Sequence, residues 1–246
     1  MDEHPLVEKE FPRLIAARLV LARQLNALTL PSRLPPELLA EVLAYLSPLI
    51  PYEYTSDALL KASHVSQHWR EVALQFPTLW RNIELGRKPE YMRMILKRSR
   101  NCPLYVTGYF TEDKLKEDEL VAILNEVHRI RFLGAYMVSK LVKSIQRLHP
   151  EKLSAPLMTT YMEGPAYPDT YRDTFVAYED SKESSLLSLF DAPNLESLQL
   201  TARPDAWKPL FSLAGLKSLR VIACDQTHLA IAELIRSFHK IGRAHV

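Results

Sequence analysis

Residues 195–200 read LESLQL and residues 216–221 read LKSLRV, one apolar-x-x-apolar-x-apolar template repeated 21 residues apart. Leu195, Leu198 and Leu200 correspond to Leu216, Leu219 and Val221, and the pair Leu189-Phe190 recurs as Leu210-Phe211 at the same step. Apolar residues at alternate positions mark a strand with one buried face. Working back along the chain, Val127, Ile130 and Phe132 fit the template, and Leu104-Tyr105-Val106 and Leu153-Ser154-Ala155 are weaker copies. The starts at 104, 130 and 153 are 26 and 23 residues apart. Helical patterns fall between the strands, at 89–98, 119–126, 138–148, 184–190 and 228–238. A single strand–helix unit cannot cover its own apolar face, so the period predicts stacked units. The step from 153 to 198 is 45 residues, about two periods, and an insertion at about 156–183 fills the gap. Tyr161, Tyr167, Tyr171 and Tyr178 lie in it among Pro, Asp and Glu, and a long insertion of this kind in a compact domain is usually functional or disordered.

Composition excludes several classes of function. The six glycines, Gly86, Gly108, Gly134, Gly164, Gly215 and Gly242, are too dispersed for a GxGxxG or GxxxxGK phosphate loop or a GxSxG nucleophile elbow. Cys102 and Cys224 are too far apart for a CxxC pair and too few for a disulfide framework. Lys+Arg 31 against Asp+Glu 29 gives a net charge of +2, without the basic excess of a nucleic-acid or membrane-surface binder. The N-terminus MDEHPLVEKEF has no apolar signal region, and no apolar run is long enough to span a bilayer. No Asn has Ser or Thr two residues on. The expected compartment is the cytoplasm or nucleus. The last six residues, 241–246 (IGRAHV), resemble a translated sequencing adapter. The expectation is that the natural chain departs from this sequence after about Lys240.

The N-terminal part is helical by pattern. Residues 1–30 contain an amphipathic helix over 8–29, with Phe11, Leu14, Leu21, Leu25 and Leu28 on a seam that Arg18 interrupts. Fewer than three heptads is short for a coiled coil, so this helix is expected to pack on the next module. Residues 34–46, LPPELLAEVLAYL, predict a second helix, with Ser32 as its cap and Pro35 or Pro36 in its first turn. Pro48 and Pro51 place a loop over 47–54. Short helical patterns follow at 56–62 and 65–74, and Thr78-Leu79-Trp80 is read as extended toward Ile83 and Leu85.

LPPELLAEVLAYL, then LLKASHVSQHWREVA, then TLW and NIEL together resemble an F-box. Leu34, Pro35, Glu37, Leu38, Val42, Leu46, Val65, Trp69, Leu79 and Trp80 match that family's pattern in order, within residues 31–85. The resemblance extends to fungal F-box proteins with a helical N-terminus. The segment 47–55 is longer than the family's usual connection between the first two helices. Residues 86–240 resemble irregular leucine-rich repeats, which favour Asn or Cys where Cys224 stands, eight residues after Leu216. The expected fold class is therefore mixed α and β: a three-helix F-box module followed by a short α/β leucine-rich-repeat-like solenoid.

What the resemblance implies is a non-enzymatic, substrate-recruiting subunit of an SCF-type cullin–RING ubiquitin ligase. It would dock on a Skp-family adaptor, and through it on a cullin, and would hold a protein substrate on the strand face or at the insertion. Leu34, Pro35, Leu38, Leu39, Val42, Leu46 and Val65 are the expected adaptor contacts, and Trp69 and Trp80 the expected F-box core. Tyr161, Tyr167, Tyr171 and Tyr178 are the candidate substrate contacts. The alternative is a repeat scaffold whose degenerate F-box acts outside the ligase, and the long 47–55 segment favours it.

Nothing in the residues points to a cofactor or metal. His64 and His68 are one helical turn apart, but HExxH fails at Val65 and Ser66 and no third ligand is close in sequence. Cys224 reads as a buried structural thiol. Asp113, Glu117, Asp118 and Glu119 read as a solvated helix start. The basic stretch Arg81, Arg87, Lys88, Arg93, Lys97, Arg98 and Arg100 reads as the wet face of the helix that carries Met92, Ile95 and Leu96.

Overall fold

A computed structural model describes residues 5–47, 58–110, 117–137, 145, 147, 151–163, 186–201 and 215–222. The chain divides into two compact units, Met1–Leu79 and Trp80–Val246. Its described residues form a mixed α and β structure, helices in the first unit and a parallel sheet in the second.

In the first unit, α1 (Pro5–Ala27) runs into a 3-10 turn at Leu30–Arg33. The expectation that α1 packs on the next module is not met. Its residues 10–27 are all exposed, including the seam residues Phe11, Leu14, Leu21 and Leu25. Arg18 explains this: it lies on that seam, one turn from Leu14 and Leu21, so covering the face would desolvate a guanidinium. Helix α2 (Pro36–Ala44) opens when the Leu39 N–H donates to the Pro35 carbonyl at 3.0 Å, with Pro36 in the first turn, where a missing N–H costs nothing. Ser32 is not its cap. It lies in the preceding 3-10 turn, where its hydroxyl accepts from the Thr29 hydroxyl at 3.1 Å.

The short helix α3 (Ala58–Ala62) and α4 (Gln67–Gln75) are joined through Ser63, whose hydroxyl donates to the Leu60 carbonyl and whose carbonyl accepts from Arg70 Nε. Ser66 caps α4, its hydroxyl accepting the Trp69 N–H at 3.2 Å. The helix stops at Phe76 because a residue before proline disfavours the helical region. Helix α2 packs on α4, burying Leu39, Ala40, Leu43, Val72 and Ala73. Residues 77–80 are not extended, as the sequence reading has them, but form a 3-10 turn, with the N–H of Leu79 donating to the Phe76 carbonyl.

The second unit carries strands β1 (Asn82–Leu85), β2 (Leu104–Phe110), β3 (Ile130–Met137), β4 (Leu153–Ser154), β5 (Thr160–Glu163), β6 (Phe190–Asp191), β7 (Ser197–Thr201) and β8 (Ser218–Ile222). Six form one all-parallel sheet in the order β1-β2-β3-β5-β7-β8, and β4 pairs with β6 in a separate two-stranded sheet. Partners along the six-stranded sheet run Asn82, Tyr105, Phe132, Thr160, Ser197 and Ser218, steps of 23, 27, 28, 37 and 21 residues. Leu198 faces Leu219 and Leu200 faces Val221, the 21-residue correspondence of the two template copies. Ile83, Leu85, Leu104, Val106, Ile130, Leu133, Leu198, Leu200 and Leu219 are buried. Helix α5 (Pro89–Ser99) packs on β1, burying Met92 and Ile95, and α6 (Glu117–Leu124) packs on α5.

Two placements differ from the sequence reading. Leu153-Ser154 does not join the main sheet, because its partner is Phe190-Asp191 in the two-stranded one. The ladder position is taken instead by β5, inside the segment read as a structureless insertion. In β3 an extra residue, Arg131, shifts the register between Leu104 and Tyr105, and this bulge moves the buried position from Phe132 to Leu133. The 48–57 connection, most of the 138–148 helix, Cys224, the 228–238 helix and residues 241–246 lie outside the described residues.

Candidate partner-docking surface

A nine-residue helix with apolar residues on more than one side cannot bury all of them against a single neighbour. Helix α2 is in this position. Its inner stripe, Leu39 and Leu43, is 0% exposed against the unit's own core. Leu38 and Val42, one turn apart, remain 49% and 48% exposed on another face, and Tyr45 extends that face by a further turn at 88%. Val65, in the turn between α3 and α4, is 60% exposed. Pro35 is exposed, and Leu34 and Leu46 are half-buried at the two ends of α2.

The sequence-derived docking set therefore divides. Leu38, Val42, Pro35 and Val65 are available at the surface, and Leu34 and Leu46 partly so. Leu39 is corrected to a core residue: it is one residue round the helix from Leu38 and points at α4. Tyr45 was missed, although it continues the Leu38–Val42 spacing by three residues and could have been read from it.

Of the two tryptophans assigned to the F-box core, Trp69 is half-buried in the first unit at the capped start of α4. Trp80 belongs to the second unit, 1% exposed, with the Arg98 guanidinium 4.4 Å from its ring centroid. Tyr161 is also corrected. It is 0% exposed in β5, because its parity in the strand is that of the buried Leu133 and Leu198 beside it. Tyr167, Tyr171 and Tyr178 lie outside the described residues.

No described group of three or more His, Cys, Asp or Glu residues is arranged to hold a metal ion. His64 is exposed and His68 half-buried on the surface of the first unit. Among the described residues, no helix is long and apolar enough to cross a membrane.

Residues 31–85 match the family model of the F-box-like domain. No curated protein and no solved structure matches the chain. F-box-like domains in general bind a Skp-family adaptor, serve ubiquitin ligases as adaptors, and belong to proteins that are typically non-enzymatic. The helices that bury Leu39 and Leu43 while turning Leu38 and Val42 outward lie within that match, which identifies residues 31–85 as an F-box-like domain.

Proposed function

We propose that the chain is a substrate-recruiting subunit of an SCF-type cullin–RING ubiquitin ligase, acting in the cytoplasm or nucleus. The observation that carries the reading is the outward apolar stripe of α2, Leu38, Val42 and Tyr45, inside an F-box-like domain. In this reading Pro35, Leu38, Val42 and Val65, with Leu34 and Leu46 at the margins, take the Skp-family adaptor, and the adaptor brings the cullin. The second unit takes the protein substrate. Its parallel strands follow in chain order at steps of 21 to 37 residues and make one sheet, not the leucine-rich-repeat solenoid expected from the sequence, and that sheet is the surface offered to the substrate. The chain does no chemistry of its own; it raises the local concentration of substrate lysines near the ligase.

The test is co-precipitation of the full chain with a Skp-family adaptor, for the wild type, Leu34→Ala/Pro35→Ala and Leu38→Asp/Val42→Asp. Capture by the wild type and its loss in the aspartate double variant are expected. A wild type that captures no adaptor sinks the proposal.

A further inference from the structure

One row of residues crosses the six-stranded sheet on the side opposite the buried leucines: Asn82, Tyr105, Phe132, Thr160, Ser197 and Ser218. The first five are half-buried and Ser218 is exposed. In the next row Thr107 and Gln199 are buried while Glu84 is half-buried and Arg220 exposed, so over β2 and β7 the accessible strip is this first row and the strand starts that precede it.

The β2–β3 part of the strip is aromatic. Tyr105 and Phe132 face each other across the ladder, with ring centroids 6.3 Å apart and planes 16° apart. Gly134 leaves room for this arrangement. A Cβ there would stand 2.9 Å from Phe132 Cε1, so the ring lies down along the strand over the glycine instead of standing off the sheet.

Among the described residues, the charge left over on the strip is positive. Arg81 holds its guanidinium 4.9 Å from the Tyr105 centroid, and Arg131 is exposed at the bulge beside Phe132. Glu84, on the same side of β1, is already held by Arg87 at 2.8 Å, and Glu196, at the start of β7, by Lys217 at 2.7 Å. No described carboxylate lies within ion-pair distance of Arg81, Arg131 or the exposed Arg220 of β8.

We infer that this strip holds an extended acidic protein segment carrying an aromatic or large aliphatic side chain. The apolar side chain lies on the Tyr105–Phe132 pair and flanking carboxylates meet Arg81 and Arg131. The hydroxyls of Thr160, Ser197 and Ser218 both donate and accept hydrogen bonds, which suits a peptide backbone. The Glu196–Lys217 pair interrupts the cationic track that a phosphate backbone would need. The inference names the substrate class of the recruiting role proposed above and rests on that role.

The experiment is fluorescence anisotropy of the full chain with labelled peptides GEEFEEFEEG and GSSFSSFSSG and a ten-nucleotide uridine oligomer. The acidic peptide should bind at least about tenfold tighter than the serine peptide, as loss of charge-assisted contacts to guanidinium implies. Arg131→Glu, an exposed change that leaves the backbone bonds intact, should weaken the acidic peptide at least about tenfold, and Phe132→Ser should do the same. Lys97→Glu on the exposed side of α5 should change nothing. Equal binding of the two peptides, tighter binding of the uridine oligomer, or an unaffected Arg131→Glu overturns the inference. Adaptor capture is scored on the same preparations. Capture without peptide preference removes this inference alone, and peptide preference without capture removes the ligase reading alone.

Discussion

Arg129 is the buried charge on which the second unit should depend most. Its side chain is 6% exposed, in the 3-10 turn that leads into β3. Its Nε donates to Glu126 Oε2 at 2.6 Å, and its Nη1 donates to the Ser99 hydroxyl at 3.2 Å and to the Cys102 carbonyl at 2.9 Å. One guanidinium thus ties the last residue of α5 and the approach to β2 to the start of β3. Arg129→Ala removes all three bonds and leaves the Cys102 carbonyl without this donor. Bonds to a charged group contribute about 1.5–3 kcal/mol each, not additively, and Glu126 is 30% exposed, so its share is discounted. Breaking a buried charged network from one side then costs about 3–5 kcal/mol. Urea unfolding read by the buried Trp80, in a Trp69→Phe/Trp207→Phe background, should show the midpoint fall by about 1–3 M at typical slopes. Arg129→Lys should recover less than half of the loss, because a single ammonium cannot reach carboxylate, hydroxyl and carbonyl together. A midpoint shift below about 0.3 M for the alanine variant, or a lysine variant equal to wild type, would refute the reasoning.

Gly108 has φ +140°, and a Cβ there would stand 2.8–2.9 Å from atoms of Leu85, its partner in β1. Gly108→Ala should cost at least about 3 kcal/mol, seen as a lowered thermal midpoint, since strain and overlap add. Ser66→Ala removes the acceptor of the Trp69 N–H and should cost about 1 kcal/mol in urea unfolding of the first unit. Leu43→Ala should cost about 2–5 kcal/mol by the same measurement, whereas the neighbouring Val42→Ser should stay within about 0.5 kcal/mol and weaken adaptor binding by no more than about tenfold.

Helices were the more legible part of the sequence, since their evidence is local. The patterns at 34–46, 65–74 and 89–98 correspond to α2, α4 and α5, and α4 ends where Phe76 precedes Pro77. The alternation in 195–200 and 216–221 placed β7 and β8 in register, because those strands contain no irregularity. What the residues did not show depends on pairing at a distance. The bulge at Arg131 reverses the parity of β3, and no local pattern announces an extra residue that is defined only by the register against β2. Thr160–Glu163 reads as part of a polar insertion because a four-residue strand leaves almost no period, and Tyr161 looks like an exposed aromatic until β3 and β7 enclose it. For the docking surface, the family pattern identified the stretch but not the side of the helix. Leu38 and Leu39 are equally apolar and adjacent, and only the position of α4 separates the exposed one from the buried one.

The two surfaces differ in physics, and that difference makes them separable. On α2 the exposed groups are aliphatic and aromatic. Fully burying a leucine or valine is worth about 1.5–3 kcal/mol, so Leu38 and Val42, each about half exposed already, offer roughly 1 kcal/mol apiece. No single truncation there should abolish docking, which is why an aspartate pair is the decisive substitution. Apolar burial is not screened by salt. On the sheet strip the contribution of Arg81 and Arg131 is Coulombic and near the surface, where the screening length is about 10 Å at 0.1 M salt and about 3 Å at 1 M. Raising the salt from about 0.1 M to 1 M should therefore release an acidic segment from the sheet while the adaptor stays on α2. An adaptor that leaves first would mean that the contact on α2 is carried by its exposed Glu37 and Glu41 and not by the apolar stripe.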